Sequence, residues 1–421
     1  DNGPMLSVSK LLTSSPPRPD GQRPDGQRTD GQRTVATETD SIRYGRIERP
    51  VVVWNVTRRC DLHCVHCYSA SEERDYPGEL STDEGKRLID DLAAFGVPVL
   101  IFSGGDPLLR GDLFELVRYA RDKGVRPILS TSGTNIDAAV AQEIKDAGII
   151  YVGVSLDGGQ EVNDRLRGMR GAFDKAVNGL RLCRDLGLTV GIRFTMSRKT
   201  VGELPTIFEL MEAEGVERGY FAHLVYAGRG ERFSREDLDH AETRKAVDYI
   251  FERAGEFIKK GITKDIVMGS NDVDGVYLYL KLREKDPERA ELVGKLLRGR
   301  GGNTSGVSLA NVDNLGNVHP DQFWTHYSPG NVRERPFKEI WTDTNDPVMA
   351  ALKNRKAYIK GRCSVCPRFD MCGGNYRVRA EFVTGDLWAE DPACYLTDEE
   401  LGITRSADRR SADRQEVKET A

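Results

Sequence analysis

The sequence lacks any run of about 18 consecutive apolar residues, the length that a membrane-spanning helix needs. It also lacks the short apolar stretch of a secretory signal peptide near its start, so we expect a cytoplasmic protein. The net charge of −5 indicates neither a nucleic-acid partner nor a membrane surface. With 421 residues, of which 38% are hydrophobic, the chain can form a sizeable core and more than one domain.

Cysteine is scarce and unevenly distributed. Seven of the eight cysteines fall into two groups, namely Cys60, Cys64 and Cys67, and then Cys363, Cys366, Cys372 and Cys394. Grouped cysteines in a chain that is not secreted indicate metal or iron–sulfur sites rather than disulfides. The remaining cysteine, Cys183, lies in a helical pattern and is predicted to be a buried apolar residue.

The first cysteine group has the spacing C-x3-C-x2-C. Three thiolates on one short loop can hold three irons of a 4Fe-4S cube, which leaves the fourth iron open to a small molecule. Zinc is the alternative, because it takes four N or S ligands and His63 or His66 could complete the set. The spacing, with the aromatic Tyr68 directly after Cys67, resembles the signature of the radical S-adenosylmethionine (SAM) enzymes. In that family the open iron binds SAM, and reductive cleavage of SAM gives a 5′-deoxyadenosyl radical.

Apolar, β-branched runs alternate with helical patterns from residue 51 onwards. Six runs are predicted as strands, at residues 51–56, 97–102, 126–131, 149–155, 189–194 and 220–225. Such runs separated by helices predict a parallel sheet covered by helices, and six units suit a curved partial barrel. The first cysteine group directly follows the first strand, at the end where parallel barrels carry their chemistry.

We therefore predict an α/β protein, a partial (β/α)6 radical SAM barrel with a smaller C-terminal auxiliary iron–sulfur domain. The predicted divisions are a flexible tail at 1–44, the barrel at 45–260, a connecting and substrate-contacting region at 261–340, the auxiliary domain at 341–403 and a polar tail at 404–421. Within the first tail, the DGQR repeats at 19–33 have no apolar face, whereas residues 5–13 have a helical pattern.

The resemblance to radical SAM enzymes implies a set of SAM-binding residues near the ends of the strands. They are Tyr68, Gly104, Gly105, Asp106, Ser130, Ser155, Asp157, Arg167 and Arg193. Gly104 and Gly105 occupy the place of the family's G-G-E motif, and paired glycines let a backbone come close to a ligand. Arg193 lies inside an apolar strand and needs an anionic partner, either the SAM carboxylate or an internal salt bridge.

The second cysteine group has the spacing C-x2-C-x5-C, followed by Cys394 after 21 intervening residues. Four thiolates complete the coordination of a second 4Fe-4S cluster, and a four-cysteine zinc site is the alternative. This spacing resembles the auxiliary-cluster domains, of SPASM or twitch type, that follow some radical SAM barrels.

Further segments resemble the radical SAM enzymes that modify tetrapyrroles, most closely the NirJ type of heme d1 biosynthesis. These segments are 76–81, 223–230, 271–277, 311–321, 372–380 and 384–396, and the likeness to the NirJ type comes from 271–277 and 324–327. The resemblance implies two 4Fe-4S clusters and SAM. It also implies a tetrapyrrole substrate, 12,18-didecarboxysiroheme, which loses propionate side chains, and an electron donor such as flavodoxin or ferredoxin. Neither a nucleic acid nor a membrane is expected as a partner.

The tetrapyrrole resemblance also implies residues for the substrate. His223 and Tyr226 are predicted to be catalytic, with His223 as a ligand of the substrate iron or a proton donor. Further candidates for the macrocycle and its carboxylates are Arg229, Arg377, Arg379, Tyr277, Phe323, Trp324, Tyr327 and His319.

Three alternatives stay open from the sequence. Related AhbC- and AhbD-type enzymes of alternative heme biosynthesis remove acetate groups from didecarboxysiroheme or decarboxylate iron-coproporphyrin III. Peptide-modifying radical SAM enzymes share the auxiliary domain. A zinc- or cluster-bearing scaffold without enzymatic activity is the third alternative.

Overall fold

The structure is a computed structural model that describes residues 5–13 and 49–403. Within these ranges the strands are β1 (Leu6–Ser7), β2 (Val51–Thr57), β3 (Val99–Gly104), β4 (Arg126–Thr131), β5 (Tyr151–Ser155), β6 (Thr189–Met196), β7 (Arg218–His223), β8 (Asp265–Gly269), β9 (Leu309–Val312), β10 (Asn317–His319) and β11 (Gly330–Asn331). The DGQR repeats and the predicted C-terminal tail lie outside the described residues.

The α-helices of the same ranges follow the strands through the chain. They are α1 (Val8–Thr13), α2 (Thr82–Phe95), α3 (Leu113–Asp122), α4 (Ala138–Ala147), α5 (Gln160–Arg167), α6 (Ala172–Asp185), α7 (Leu204–Ala213), α8 (Gly230–Phe233), α9 (His240–Lys259), α10 (Val273–Lys285), α11 (Pro287–Arg300), α12 (Phe337–Thr342), α13 (Pro347–Lys353), α14 (Phe369–Cys372), α15 (Arg377–Thr384) and α16 (Asp398–Leu401). No helix among the described residues is long and apolar enough to cross a membrane.

The strands form one sheet in the order β1-β8-β7-β6-β5-β4-β3-β2-β9-β10-β11. Neighbours from β8 through β9 are parallel, whereas β1, β10 and β11 pair antiparallel at the two edges. Strands β2 to β7 are the six predicted strands, which confirms the predicted α/β class with its parallel sheet.

The region 261–340 contributes more to the sheet than the sequence indicated. Strand β8 pairs in parallel with β7, and β9 pairs in parallel with β2 on the other side, so this region extends the sheet at both ends. The two strands are only five and four residues long, and β9 is followed by a polar turn. So short a run carries little periodicity, and its pairing depends on neighbours distant in sequence.

The two faces of the sheet have different characters, because side chains alternate along a strand. Trp54 of β2 and Phe102 of β3 are fully buried on the outer face, with their ring centroids 6.0 Å apart. On the same face Phe221 of β7 stacks on Phe208 of α7, with ring centroids 4.9 Å apart. Ser130 of β4, Ser155 of β5 and Arg193 of β6 instead lie together on the inner face.

Helix α2 begins where the sequence placed a cap. The Ser81 hydroxyl accepts a hydrogen bond from the Glu84 backbone at 3.3 Å, and the Glu84 carboxylate accepts one from the Ser81 backbone at 2.8 Å. This reciprocal capping box satisfies two backbone donors at the helix start. It fixes the chain as it leaves the long loop that carries the first cysteine group.

Residues 5–13 pack on the barrel, which corrects their assignment to the predicted flexible tail. Leu6 and Ser7 pair antiparallel with β8, and α1 packs against α9 and α11. The Ser9 hydroxyl accepts a hydrogen bond from the Ile266 backbone at 3.0 Å, and the Ser7 hydroxyl donates to Asp265 at 2.6 Å. An open parallel sheet exposes unpaired backbone groups on its edge strand, and this segment covers them.

We expect Leu11→Ala to destabilise the protein by about 2–5 kcal/mol, because Leu11 is buried and its loss leaves a cavity. Leu315→Ala is the matched control, since Leu315 is 38% exposed. Thermal unfolding followed by tryptophan fluorescence should show a lower midpoint for Leu11→Ala alone. Equal midpoints for both variants would contradict the docking of α1.

Candidate active site at the mouth of the barrel

The first cysteine group lies on the loop after β2, at the carboxyl end of the sheet. Its backbone is held by neighbouring segments: Cys60 donates to the Glu72 carbonyl at 3.1 Å, and His63 donates to the Arg167 carbonyl at 3.1 Å. Cys60 and Cys64 are buried, and Cys67 is half-buried. The loop therefore presents three thiols from a fixed position, as a cluster with one open iron requires.

Apolar contacts surround these thiols. Cys60 and Cys64 form a small cluster with Leu62 and Ala172, against which Met169 packs. Burial raises the pKa of the Cys64 thiol to about 11, although Arg167, with Nη1 3.9 Å from the sulfur, opposes the shift. Burial also raises the pKa of Cys60. Metal binding must therefore displace thiol protons at neutral pH, which couples cluster assembly to proton release.

Gly104 and Gly105 allow the end of β3 to touch the cysteine loop. A Cβ atom on Gly104 would overlap the Thr57 carbonyl oxygen, and one on Gly105 would overlap that of Arg59. The contact is made by backbone hydrogen bonds, since Gly105 donates to Thr57 and Asp106 donates to Arg59, both at 2.8 Å. The paired glycines thus have a packing role in addition to the predicted contact with SAM.

Asp106 contributes a buried side chain to the same region. Its carboxylate is fully buried and accepts hydrogen bonds from the Thr131 hydroxyl at 2.8 Å, the Ser132 backbone at 2.9 Å and the Leu108 backbone at 3.0 Å. Burial raises the pKa of this carboxyl group. The side chain therefore joins the ends of β3 and β4, and only the backbone of Asp106 is left to meet SAM.

Asp157 and Arg167 also pair with each other. The carboxylate of Asp157 is fully buried, lies 2.7 Å from Nη2 of Arg167 and lies 3.2 Å from Nε2 of His66. These partners lower the pKa of Asp157 to about 2 despite its burial. The pair ties the end of α5 to the cysteine loop. Asp157 therefore braces the site through an ion pair, and Arg167 lies beside Cys64.

Arg193 occupies the inner face of the sheet. Its Nη1 donates to the Ser130 hydroxyl at 2.7 Å, and its guanidinium lies 5.3 Å from the ring centroid of Tyr220. Among the described residues no carboxylate pairs with Arg193, so the internal salt bridge that the sequence left open is not formed there. Ser155 lies directly beside Arg193 in the register of β5 and β6. The geometry thus brings Ser130, Ser155 and Arg193 together.

Tyr68 completes the inner face on the side of β2. Its hydroxyl donates to Asn55 at 3.1 Å, and its ring meets Phe323 edge to face at 5.4 Å between centroids. Asn55 and Tyr220 also belong to this site, although no motif of the sequence indicated them. Each is a polar side chain within an otherwise apolar strand, at the same parity as the residues that were identified, and that parity was the available signal.

His223 and Tyr226 do not join this group. Tyr220 points to the inner face, so His223, three residues later, falls on the outer face of β7. There its Nε2 lies 2.9 Å from Asp274, a residue of α10. Tyr226 donates its hydroxyl to Asp237 at 2.5 Å. Both predicted catalytic residues line a cavity of about 550 Å³ beside the start of α9 and are separated from Arg193 by the sheet.

The arginines proposed for substrate carboxylates are also engaged elsewhere. Arg377 and Arg379 are fully buried. Arg379 forms a two-pronged pair with Asp391 at 2.9 Å for both contacts, and Arg377 donates to the Leu387 carbonyl at 3.1 Å. Their assignment to the substrate was wrong, because the sequence does not reveal that Asp391 and these carbonyl groups are their partners.

Most of the predicted aromatic walls are packing residues too. Trp324 is 1% exposed, Tyr277 donates to Asp248 at 3.0 Å, and Tyr327 hydrogen-bonds to Asp346. His319 Nδ1 lies 2.6 Å from the Tyr327 carbonyl oxygen. Of this set, Phe323 contacts the predicted SAM-binding residue Tyr68.

The second cysteine group converges on one space. Cys363, Cys366, Cys372 and Cys394 line a single cavity together with apolar side chains that include Phe369 and Leu396. Burial raises the pKa of Cys363 to about 12 and that of Cys394 to about 11. Four thiols around one apolar space are a donor set that fits a 4Fe-4S cluster.

Asp391 holds the second group in place. Its carboxylate accepts hydrogen bonds from the Tyr376 backbone at 2.9 Å and the Ala393 backbone at 3.0 Å, besides its pair with Arg379. It thereby joins the loop before Cys394 to the turn after Cys372.

Within residues 5–13 and 49–403, no three His, Cys, Asp or Glu side chains lie close enough together to hold a single metal ion.

Comparison with known proteins agrees with this geometry. Residues 54–211 match the model of the radical SAM superfamily. The chain is 52% identical to the Fe-coproporphyrin III synthase of Methanosarcina barkeri over 86% of this chain and 96% of that protein. It is 45% identical to the pre-heme d1 synthase of Dinoroseobacter shibae, over 86% and 90%.

The chain is a radical SAM enzyme. It belongs to the branch of that superfamily devoted to tetrapyrrole and heme biosynthesis. Radical SAM proteins bind SAM and a 4Fe-4S cluster, and in this enzyme Cys60, Cys64 and Cys67 would hold that cluster. The glycine pair of β3 and the arginine beside Cys64 fit a site that receives SAM at the open iron.

Solved structures share the fold of this radical SAM enzyme. SuiB of Streptococcus suis bound to S-adenosylmethionine superposes with a TM-score of 0.65 at 15% identity, covering 83% of this chain and 78% of that one. Native anSMEcpe with bound AdoMet gives a TM-score of 0.66 at 18% identity, covering 86% and 98%. At these identities the likeness concerns the fold alone.

We expect Gly105→Ala to displace the cysteine loop, because the added Cβ would overlap the Arg59 carbonyl oxygen. After anaerobic reconstitution, the variant should lose about four irons per chain, the content of one cube. Gly111→Ala is the matched control, since nothing lies within 4 Å of its added Cβ. A Gly105→Ala protein with full iron content would contradict the close contact between β3 and the loop.

We expect Cys372→Ala to lose about four irons as well, while the first cysteine group keeps its own cluster. Cys183→Ala should retain all its iron, because Cys183 is buried in α6 and belongs to neither group. Iron and sulfide analysis, with EPR spectra recorded with and without SAM, measures both results. If zinc replaces iron at the second group, the analysis detects it directly.

Proposed function

We propose that this enzyme removes carboxylate-bearing side chains from 12,18-didecarboxysiroheme. The observation that carries the proposal is the high identity to two tetrapyrrole enzymes over nearly their whole length, 52% to an Fe-coproporphyrin III synthase and 45% to a pre-heme d1 synthase. Didecarboxysiroheme is the starting compound of both candidate routes. Removal of its acetate groups leads towards iron-coproporphyrin III, and removal of its propionate groups leads towards heme d1. A relative named for a peptide substrate, the PqqA peptide cyclase of Granulibacter bethesdensis, is 28% identical.

The bound cluster and SAM supply a 5′-deoxyadenosyl radical, and the chain's own residues orient the reactants. Arg193 is the cation of the inner face that lacks a carboxylate partner among the described residues, and Ser130 fixes its guanidinium. We assign it to the carboxylate of SAM, with the Ser155 hydroxyl beside it. Tyr68 and Phe323 form the aromatic wall between this position and the auxiliary domain.

The two candidate products are favoured by different observations. The 52% identity favours acetate removal, which would make the enzyme an Fe-coproporphyrin III synthase. The segments at 271–277 and 324–327, which resemble the NirJ type, favour propionate removal on the heme d1 route. We place acetate removal first, because the identity of 52% to the Fe-coproporphyrin III synthase exceeds the identity of 45% to the pre-heme d1 synthase over the same 86% of the chain.

The second cysteine group is proposed to bind an auxiliary 4Fe-4S cluster that accepts or supplies one electron. The four thiols that line one cavity support this role. A reduced flavodoxin or ferredoxin is the proposed external donor. We also propose a cytoplasmic location, since cysteines must stay reduced to bind iron–sulfur clusters and the cytoplasm is a reducing compartment.

The deciding experiment incubates anaerobically reconstituted enzyme with SAM, a reductant and 12,18-didecarboxysiroheme. We expect deoxyadenosine formation to rise several-fold over the rate without tetrapyrrole, and mass spectrometry to show loss of two acetate groups. Loss of two propionate chains instead would assign the enzyme to the heme d1 route. Deoxyadenosine formation that ignores the tetrapyrrole, in protein with both clusters intact, would refute the proposed substrate.

A further inference from the structure

The segment that follows β7 lies directly on the cysteine loop. We call residues 227–230 the clamp segment. Its Gly228 has a φ of +57°, and a Cβ at this position would overlap the Tyr68 carbonyl oxygen and lie 2.7 Å from that of Cys67. Only glycine lets the two backbones approach so closely. The clamp segment is therefore shaped to the loop that carries the first cysteine group.

Arg229 makes the contact specific. Its backbone N–H donates to the Cys67 carbonyl at 2.9 Å, and its Nε donates to the Cys64 carbonyl at 2.7 Å. Its Nη1 donates to the Ser71 carbonyl at 2.9 Å. One residue thus holds three carbonyl groups across the second half of the loop, two of them on cysteines. This geometry also corrects its assignment to a substrate carboxylate, since the guanidinium is already engaged.

The charge of Arg229 is not neutralised nearby. No carboxylate among the described residues forms an ion pair with it, and its buried Nη2 has no hydrogen-bond partner there. Arg167, which also lies beside this loop, is by contrast neutralised by Asp157 at 2.7 Å. Arg229 therefore contributes a net positive charge in a half-buried position next to two cysteines, where the lower dielectric weakens screening.

Reduction adds a negative charge to a cluster, and nearby positive charge and hydrogen bonds raise its reduction potential. We propose that Arg229 is a positioning residue that holds the cysteine loop in shape and raises the reduction potential of the cluster bound by Cys60, Cys64 and Cys67. The proposal rests on the function proposed above only in that the first cysteine group binds a cluster. A higher reduction potential makes it easier for an external donor to reduce this cluster before SAM is cleaved.

Three variants test the proposal in the full-length, reconstituted enzyme without tetrapyrrole. Arg229→Gln removes the charge but keeps an amide that can donate, and Arg229→Lys keeps the charge but cannot reach several carbonyl groups at once. Arg232→Gln is the matched control, because Arg232 is an exposed arginine of α8. The cluster bound by the first cysteine group is identified as the one whose EPR signal changes when SAM is added.

The first readout is the midpoint potential from a redox titration followed by EPR. We expect Arg229→Gln to lower the ratio of reduced to oxidised cluster about tenfold at a given applied potential, which is about 59 mV for one electron. Arg229→Lys should stay close to the wild type, and Arg232→Gln should not change. An unchanged potential in Arg229→Gln, or an equal shift in Arg232→Gln, would overturn the electrostatic role.

The second readout is the rate at which a chelator removes iron from the first cysteine group. Both Arg229 variants should lose iron faster than the wild type, whereas Arg232→Gln should not. An Arg229→Lys protein that retains iron as well as the wild type would overturn the positioning role, even if Arg229→Gln binds no iron at all. Because neither readout uses the tetrapyrrole, a failure here leaves the proposed function intact, and a wrong substrate leaves these results intact.

Discussion

The arrangement of the candidate site depends on the contact between the end of β3 and the cysteine loop. Gly104 and Gly105 lie against the carbonyl groups of Thr57 and Arg59, with no room for a side chain between the two backbones. Hydrogen bonds from Gly105 and Asp106 close this contact. The position of all three thiols depends on it, because the loop has no regular secondary structure of its own.

The rest of the site is arranged around that contact in layers. Asp106 extends it to β4, the pair of Asp157 and Arg167 joins it to α5, and the clamp segment presses on it from the side of β7. Asp106 and the Asp157–Arg167 pair are buried charges with partners, and the clamp segment donates hydrogen bonds to backbone carbonyl groups of the loop. Buried polar groups are costly when unpaired, so such a network fixes one arrangement of the loop.

Much of the fold was predictable from the sequence, and the reasons are local. Strands β2 to β7 are apolar runs whose periodicity needs no knowledge of the partner strand, and the spacing of the cysteines is itself the signal of the cluster. The faces of the site residues were harder. His223 and Tyr220 are three residues apart on one strand, and only their registration against Arg193 and Asp274 reveals that they point in opposite directions.

The same limit explains the misassigned arginines. Arg377 and Arg379 lie near a predicted cluster and have the chemistry to bind a carboxylate. Arg379, however, already pairs with Asp391, and Arg377 already donates to a backbone carbonyl group. A sequence shows which groups need partners, but distant contacts decide which partners they find. For that reason the cofactor set was easier to infer than the residues that contact the tetrapyrrole.

The pairing of β1 with β8 has a consequence for the order of folding. Ser9 and its partner Ile266 are separated by 257 residues, and strands β2 to β7 all lie between them. During synthesis, the six central strands can assemble long before their edge is covered, so the earliest segment must wait for one of the later ones. Until β8 is synthesised, β7 is the edge strand on that side of the sheet. Its unpaired backbone groups can then pair with other chains, so the nascent protein is most prone to aggregation in this interval.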